Sequence, residues 1–131
     1  MSRRAAPHER DMLALSFGLL LITALFGGVL AALHQRQTPP SWQLGALHGG
    51  LGSIGFVALL LALRGPPRGV AMGVGAFGQI AALLLAMALI AGIAIMIARL
   101  RDRRVPGLVI GIHATIAISG VVILAAYTLV G

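Results

Sequence analysis

The chain has 131 residues, of which 59% are apolar and only 10% are charged, and its mean hydropathy is +1.00. Because soluble domains carry about a quarter charged residues, these values predict an integral membrane protein and exclude a separate soluble domain. The net charge of +7 comes from ten arginines, set against three acidic residues. Every arginine lies at the end of an apolar run, where it meets lipid headgroups, so we expect no nucleic-acid binding. The chain contains no cysteine, which excludes disulfides, iron–sulfur ligation and covalent haem attachment.

Four apolar segments predict an all-α fold, a four-transmembrane-helix bundle that forms one integral membrane domain over residues 1–131. At about 1.5 Å per residue, each segment covers a hydrocarbon core of about 30 Å. The first is too long for the apolar core of a signal peptide, so we expect it to be retained as a span. The third is the longest, and we expect it to tilt or to project from the bilayer. The predicted helices are residues 12–33, 44–63, 70–98 and 106–130.

Stop signals separate these segments. Pro39 and Pro40 end helical structure after the first segment, and Trp42 suits the lipid–water interface. A turn at residues 64–69 follows the second segment, and a charged run at 99–104 precedes the fourth. The arginines divide equally between the two ends of the bundle, so their count does not fix the membrane orientation. Those at one end are Arg3, Arg4, Arg10, Arg64 and Arg68, and those at the other are Arg36, Arg99, Arg101, Arg103 and Arg104.

Two histidines lie inside apolar segments, each seven residues ahead of a glycine: His48 before Gly55, and His113 before Gly120. An imidazole in hydrocarbon is costly and indicates a function or a partner. Alignment of the two segments on these residues predicts a two-fold repeat of helical hairpins, with a pseudo-axis along the membrane normal. Both helices start from the same side of the membrane, which gives the histidines compatible depths. Two imidazoles so related are able to face each other across a flat macrocycle.

Small residues on the same helix faces favour a cofactor at this pair, because positions three, four and seven residues apart share a face. We expect them to leave room for one haem b whose iron both imidazoles bind. The predicted lining residues are Gly52 and Gly55 after His48, and Ala117 and Gly120 after His113. The second nitrogen of each ring needs an acceptor to fix its tautomer. On the same side of the membrane, Arg36 and Arg101 are expected to pair with the haem propionates. A simpler interpretation stays open, because small residues on membrane helices more often serve close helix packing.

The His-Gly-Gly-Leu-Gly sequence that begins at His48, together with His113 and the four-helix plan, resembles a small membrane cytochrome b. The chain is similar to the cytochrome b561-like group and to the membrane anchors of respiratory dehydrogenases. This resemblance implies electron transfer in the membrane. The b561-like pattern implies two haems and four histidine ligands, whereas only two histidines here lie within the spans, so we expect at most one haem.

We therefore predict a multi-pass protein of the bacterial inner (cytoplasmic) membrane that passes single electrons between a partner and a quinone pool, or serves as the cytochrome subunit of a larger complex. With so little mass outside the bilayer, we expect a redox partner subunit or a homo-oligomer, and an electron-transfer component rather than a stand-alone enzyme. No catalytic triad, carboxylate pair, phosphate loop or zinc spacing is present. The alternatives are a cofactor-free accessory subunit, whose histidines form interhelical hydrogen bonds, and a pigment protein in which one histidine binds a chlorophyll-type magnesium.

Three other polar residues have open roles. Gln79, inside the predicted third helix, is able to donate to a quinone carbonyl, although a hydrogen bond between helices is the commoner role. His34, at the end of the first helix, is a rival haem ligand, but a position facing the headgroups is the simpler interpretation. His8 is expected to lie in a solvated tail.

Overall fold

The structure is a computed structural model that describes residues 7–130. Arg3 and Arg4 lie outside the described residues, as does the side chain of His8. Within this range the chain forms four α-helices and no strand, and all four helices are long and apolar enough to cross a membrane. The predicted all-α, four-span architecture of a multi-pass membrane protein is confirmed. The helices are α1 (Pro7–Gln35), α2 (Trp42–Ala62), α3 (Phe77–Leu100) and α4 (Gly107–Val130), with a short 3-10 helix at Val70–Met72.

Local chemistry explains where α1 and α2 begin. The first residue of α1 is Pro7, and a proline there costs no hydrogen bond because the first helical N–H has no partner in any case. The acidic Glu9 follows in the first turn, where the helix dipole favours negative charge. At α2 the preceding Ser41 is the N-cap, and its hydroxyl accepts a hydrogen bond from the N–H of Leu44 at 3.4 Å.

The predicted start of the third helix at residue 70 is wrong, because α3 begins at Phe77. Gly69 and Gly73 have positive φ angles of 64° and 75°, which glycine adopts without strain, and the residues between them form a single 3-10 turn. The excess length that predicted a tilted or projecting helix is absent, since α3 and α4 each have 24 residues.

The four helices pack in cyclic order around the bundle. α1 contacts α2 and α3 contacts α4 within the hairpins, while α1 contacts α4 and α2 contacts α3 between them. The two hairpin loops, residues 36–41 and 101–106, lie at one end of the bundle, here called the hairpin-loop end. The connection at residues 63–76 lies at the opposite end, here called the core end.

The two hairpins repeat with an offset of 65 residues, the separation of His48 from His113. The helix ends obey the same offset: α1 and α3 end at Gln35 and Leu100, and α2 and α4 begin at Trp42 and Gly107. In the loops, the non-glycine residues Gln37 and Asp102 both have positive φ, 55° and 52°. After each of them, the next N–H donates to a carbonyl in the last turn of the helix, a Schellman-type ending in both hairpins. The predicted repeat is therefore present in the backbone, loops included.

The buried core lies at the core end. Apolar side chains from all four helices form it, among them Leu13, Leu59, Leu85 and Leu124. Tyr127, 4% exposed, closes this core next to Gly78, where a Cβ would lie 2.9 Å from the tyrosine ring. The packed layers extend as far as Thr23 and Ala88, which lie at the level of the two histidines.

Candidate functional site

The two histidines lie opposite each other across the diagonal of the bundle. His48 is on α2 and His113 is on α4, which are not neighbours in the cyclic order. The centroids of their rings are 6.2 Å apart, and the ring planes make an angle of 77°, so the edge of one ring faces the other. Both side chains are half-buried. The structure thus brings together the pair that the repeat predicted.

Each imidazole is held by a backbone carbonyl of the other helix in its own hairpin. Nδ1 of His48 lies 2.9 Å from the carbonyl oxygen of Thr23, and Nδ1 of His113 lies 3.0 Å from that of Ala88. Because a carbonyl only accepts, each Nδ1 donates and carries the ring proton. In a neutral imidazole the lone pair is then on Nε2, which has no hydrogen-bond partner within residues 7–130. A neutral ring with its proton on Nδ1 is the tautomer that binds a metal through Nε2.

Two glycines that the sequence analysis missed make room for these rings. A Cβ on Gly27 would lie 3.0 Å from Cε1 of His48, and a Cβ on Gly92 would lie 3.2 Å from Cε1 of His113. Both distances are shorter than ordinary van der Waals contact, so a larger residue displaces the ring. The offset of 65 also relates Gly27 to Gly92. An alignment of the first and third apolar segments, added to that of the second and fourth, would have found them.

The space that we expected Gly55 and Gly120 to leave is filled by leucines. A Cβ on Gly55 would lie 2.9 Å from Cγ of Leu20, and a Cβ on Gly120 would lie 2.8 Å from Cγ of Leu85. Each leucine belongs to the other helix of the same hairpin. These two glycines therefore serve close helix packing on the core side of the histidines.

The half of the bundle near the hairpin-loop end, here called the loop half, is less buried than the core end. None of the residues in the segments 24–35, 42–54, 89–100 and 107–119 is buried, and Gly52 and Ala117 within them are half-buried. The helices still meet at this end, because the Met96 side chain would contact a Cβ on Gly45 at 3.5 Å. Close-packed bundles bury side chains in each layer. The loop half is therefore packed less tightly than the core end.

The arginines predicted to meet propionates occupy matching positions directly after α1 and α3. Arg36 and Arg101 are both exposed, whereas His34 and Arg99, two residues earlier, are half-buried. His34 faces α4, with Nε2 3.8 Å from the position of a Cβ on Gly107. It lies seven residues beyond Gly27, the glycine beside the His48 ring, which is about 10 Å along α1. The structure does not bring His34 to this pair as a rival ligand.

Gln79, for which a hydrogen bond between helices is the commoner role and a quinone contact the alternative, lies at the core end, away from the histidines. It is exposed and lines a cavity of about 40 Å³ together with Leu63 and Tyr127. The phenol oxygen of Tyr127 accepts a hydrogen bond from the backbone N–H of Arg68 at 3.2 Å. A cavity of this size holds about one water molecule and is too small for a quinone ring.

The site offers two imidazole Nε2 atoms without a hydrogen-bond partner among the described residues. Among the described residues, no group of three or more His, Cys, Asp or Glu side chains gathers anywhere. Comparison of the chain with family models, curated proteins and solved structures gave no match.

Proposed function

We propose that the protein binds one haem b between α2 and α4, with Nε2 of His48 and Nε2 of His113 as axial ligands, and carries single electrons in the membrane. One observation carries this proposal: matched Nδ1–carbonyl hydrogen bonds leave the Nε2 lone pairs of both rings free at one level of the bundle. A carbonyl acceptor at the second nitrogen orients a metal-binding imidazole and raises its basicity.

The separation of the rings suits a shared metal. A metal–nitrogen bond of about 2 Å, with about 1 Å from the nitrogen to the ring centre, puts two imidazole centres about 6 Å apart across one ion. The observed separation of the centroids is 6.2 Å. A direct hydrogen bond between the rings would bring their centres to about 5 Å.

The number of protein ligands favours a metallated macrocycle over a bare ion. A protein zinc site uses three or four protein ligands, whereas a haem brings four nitrogens of its own and needs two axial ligands. We place the macrocycle on the side of the imidazoles that faces the loop half of the bundle, where no residue is buried. A chlorophyll-type magnesium takes one histidine for each ring, which leaves the matched second histidine without a role.

When bound, haem iron supplies one-electron chemistry. Other residues of the chain would hold the two imidazoles that bind the iron. The carbonyls of Thr23 and Ala88 fix the two imidazoles, and Gly27 and Gly92 let the rings lie close against α1 and α3. Because the chain offers little surface outside the spans, its redox partner is a separate subunit or a second copy, with a membrane quinone as the diffusible reactant. The proposed location is the bacterial inner membrane.

One other function is favoured by the same hydrogen bonds. Each Nδ1–carbonyl bond joins the two helices of a hairpin, as expected in a cofactor-free accessory subunit of a larger membrane complex. That role explains the hydrogen bond that Nδ1 of each ring donates. It does not explain why two such rings meet on the bundle diagonal with both Nε2 atoms free.

The test is the absorption spectrum of the full chain, purified in detergent from haem-replete cells. We expect one haem for each chain and the sharp reduced-minus-oxidised band of six-coordinate haem b. His48→Ala and His113→Ala should each abolish six-coordination, and added imidazole should restore it where the variant still folds. Thr115→Ala, at an exposed position on α4, is the control and should keep the spectrum.

Two results would overturn the proposal. A colourless preparation would exclude the haem and favour the accessory subunit. Unchanged spectra for both histidine variants would show that other residues bind the iron.

A further inference from the structure

The last turns of α1 and α3 carry a second matched pair of nitrogen-bearing side chains. His34 and Arg99 are the basic residues of these turns, and the offset of 65 relates them. Both are half-buried, whereas the two residues that follow each of them are exposed. Each hairpin therefore offers one such side chain near the end of the loop half.

By helix spacing, these two residues fall on the faces of α1 and α3 that carry Gly27 and Gly92. His34 is seven residues beyond Gly27, and Arg99 is seven residues beyond Gly92. Positions seven residues apart share a face, and two turns separate them by about 10 Å along the axis. Side chains on a helix lean towards its N-terminus, so those of α1 and α3 lean back from the hairpin-loop end towards the histidine pair.

We infer that His34 and Arg99 hold the two propionate carboxylates of the haem, one from each hairpin, an assignment that rests on the proposed function. The two propionate-bearing pyrroles of haem b lie on either side of an axis in the ring plane. If this axis coincides with the pseudo-axis of the bundle, each propionate points to one hairpin. Arg99 binds a carboxylate through its planar guanidinium, and the His34 imidazole donates one N–H to the other.

This assignment differs from the one that the sequence favours. Arg36 and Arg101 form a matched pair as well, but both are exposed in the loops. A carboxylate there competes with water, which weakens an exposed ion pair to little net value. His34 and Arg99, two residues earlier in the chain, are half-buried and less hydrated, so their hydrogen bonds to a carboxylate are stronger.

The experiment titrates the haem-free full chain with haem b and, separately, with haem b dimethyl ester, whose propionates carry no charge. The dissociation constant is read from the Soret band. Arg99→Gln should weaken haem b binding about tenfold and His34→Gln by less, because a guanidinium donates two parallel hydrogen bonds to a carboxylate whereas an imidazole donates one. Neither variant should change the affinity for the ester. The matched controls Arg36→Gln and Arg101→Gln should leave both affinities unchanged.

The outcomes separate this inference from the proposed function. If the unmodified chain binds neither haem, the proposed function fails and this assignment fails with it. If the chain binds haem b with both histidines as ligands, three results overturn the assignment alone. The His34 and Arg99 variants could keep full affinity, they could lose affinity for the acid and the ester equally, or the Arg36 and Arg101 controls could show the loss instead.

Discussion

Gly27→Ala tests whether the close approach of α1 to the His48 ring is required. The added Cβ would lie 3.0 Å from Cε1 of His48, so the ring has to move by about 0.4 Å to reach ordinary contact at 3.4 Å. This movement strains the 2.9 Å hydrogen bond from Nδ1 to the Thr23 carbonyl. Overpacking of this kind costs about 1–3 kcal/mol, whereas alanine in place of a helical glycine gains at most about 1 kcal/mol.

The neighbouring glycine supplies the control. A Cβ on Gly28 meets nothing within 4 Å, so Gly28→Ala has the helix-propensity gain without the contact. The free energy of unfolding should therefore differ by about 1–3 kcal/mol between the two variants, with Gly27→Ala the less stable. Gly92→Ala should fall between them, because its Cβ would lie 3.2 Å from Cε1 of His113.

The assay is reversible unfolding of the haem-free chain by sodium dodecyl sulfate in mixed micelles, followed by circular dichroism. A double-mutant cycle with His48→Ala isolates the contact, because removal of the ring should remove the cost of Gly27→Ala. If Gly27→Ala and Gly28→Ala agree within about 0.5 kcal/mol, the close contact has no energetic consequence and the reasoning is refuted. The result does not depend on any cofactor.

Three further predictions concern residues outside the histidine pair. Ser16→Ala removes a fully buried hydroxyl that donates to an α2 carbonyl at 2.9 Å. The same assay should show that the free energy of unfolding falls by about 0.5–1 kcal/mol. A fall of more than about 2 kcal/mol would contradict the loss of a single hydrogen bond. Tyr127→Phe removes the acceptor of the Arg68 N–H, so hydrogen exchange at Arg68 should become faster while the haem spectrum stays the same. Gln37→Gly should stabilise the chain by up to about 1 kcal/mol, because a left-handed φ strains glutamine. Asp102→Gly should gain less, because aspartate tolerates this φ. Equal stability of Gln37→Gly and the unmodified chain would show that the loop is not strained.

The number of helices and their approximate ends could be predicted because apolar length and proline are visible in the sequence. Pro39 and Pro40 separate α1 from α2, and Pro106 directly precedes α4. The start of α3 was missed because a hydropathy reading counts Val70 and Met72 as part of a span. The break there is made by backbone angles at glycines, which such a reading cannot see.

The histidine pair could be predicted because a polar side chain within a span is conspicuous. The residues that hold the two rings in place are less visible in the sequence. Thr23 and Ala88 contribute only their backbone carbonyls, so their residue types carry no signal. Gly27 has such a signal but lies among many other glycines, and only the repeat with Gly92 distinguishes it from Gly28.

The distribution of symmetry over the bundle gives a further argument about the site. At the core end the repeat is kept in the packing pairs, Gly55 with Leu20 and Gly120 with Leu85, but it is relaxed at one polar position: the hydroxyl of Ser16 bonds to α2, while the equivalent Ala81 has none and is equally buried. Around the histidines the repeat is kept in the polar groups, because both rings and both carbonyl acceptors recur. Close packing accounts for the recurring glycines and leucines, but it gives no reason for a second imidazole across the diagonal of the bundle. The proposed haem, bound by one imidazole from each hairpin, gives that reason.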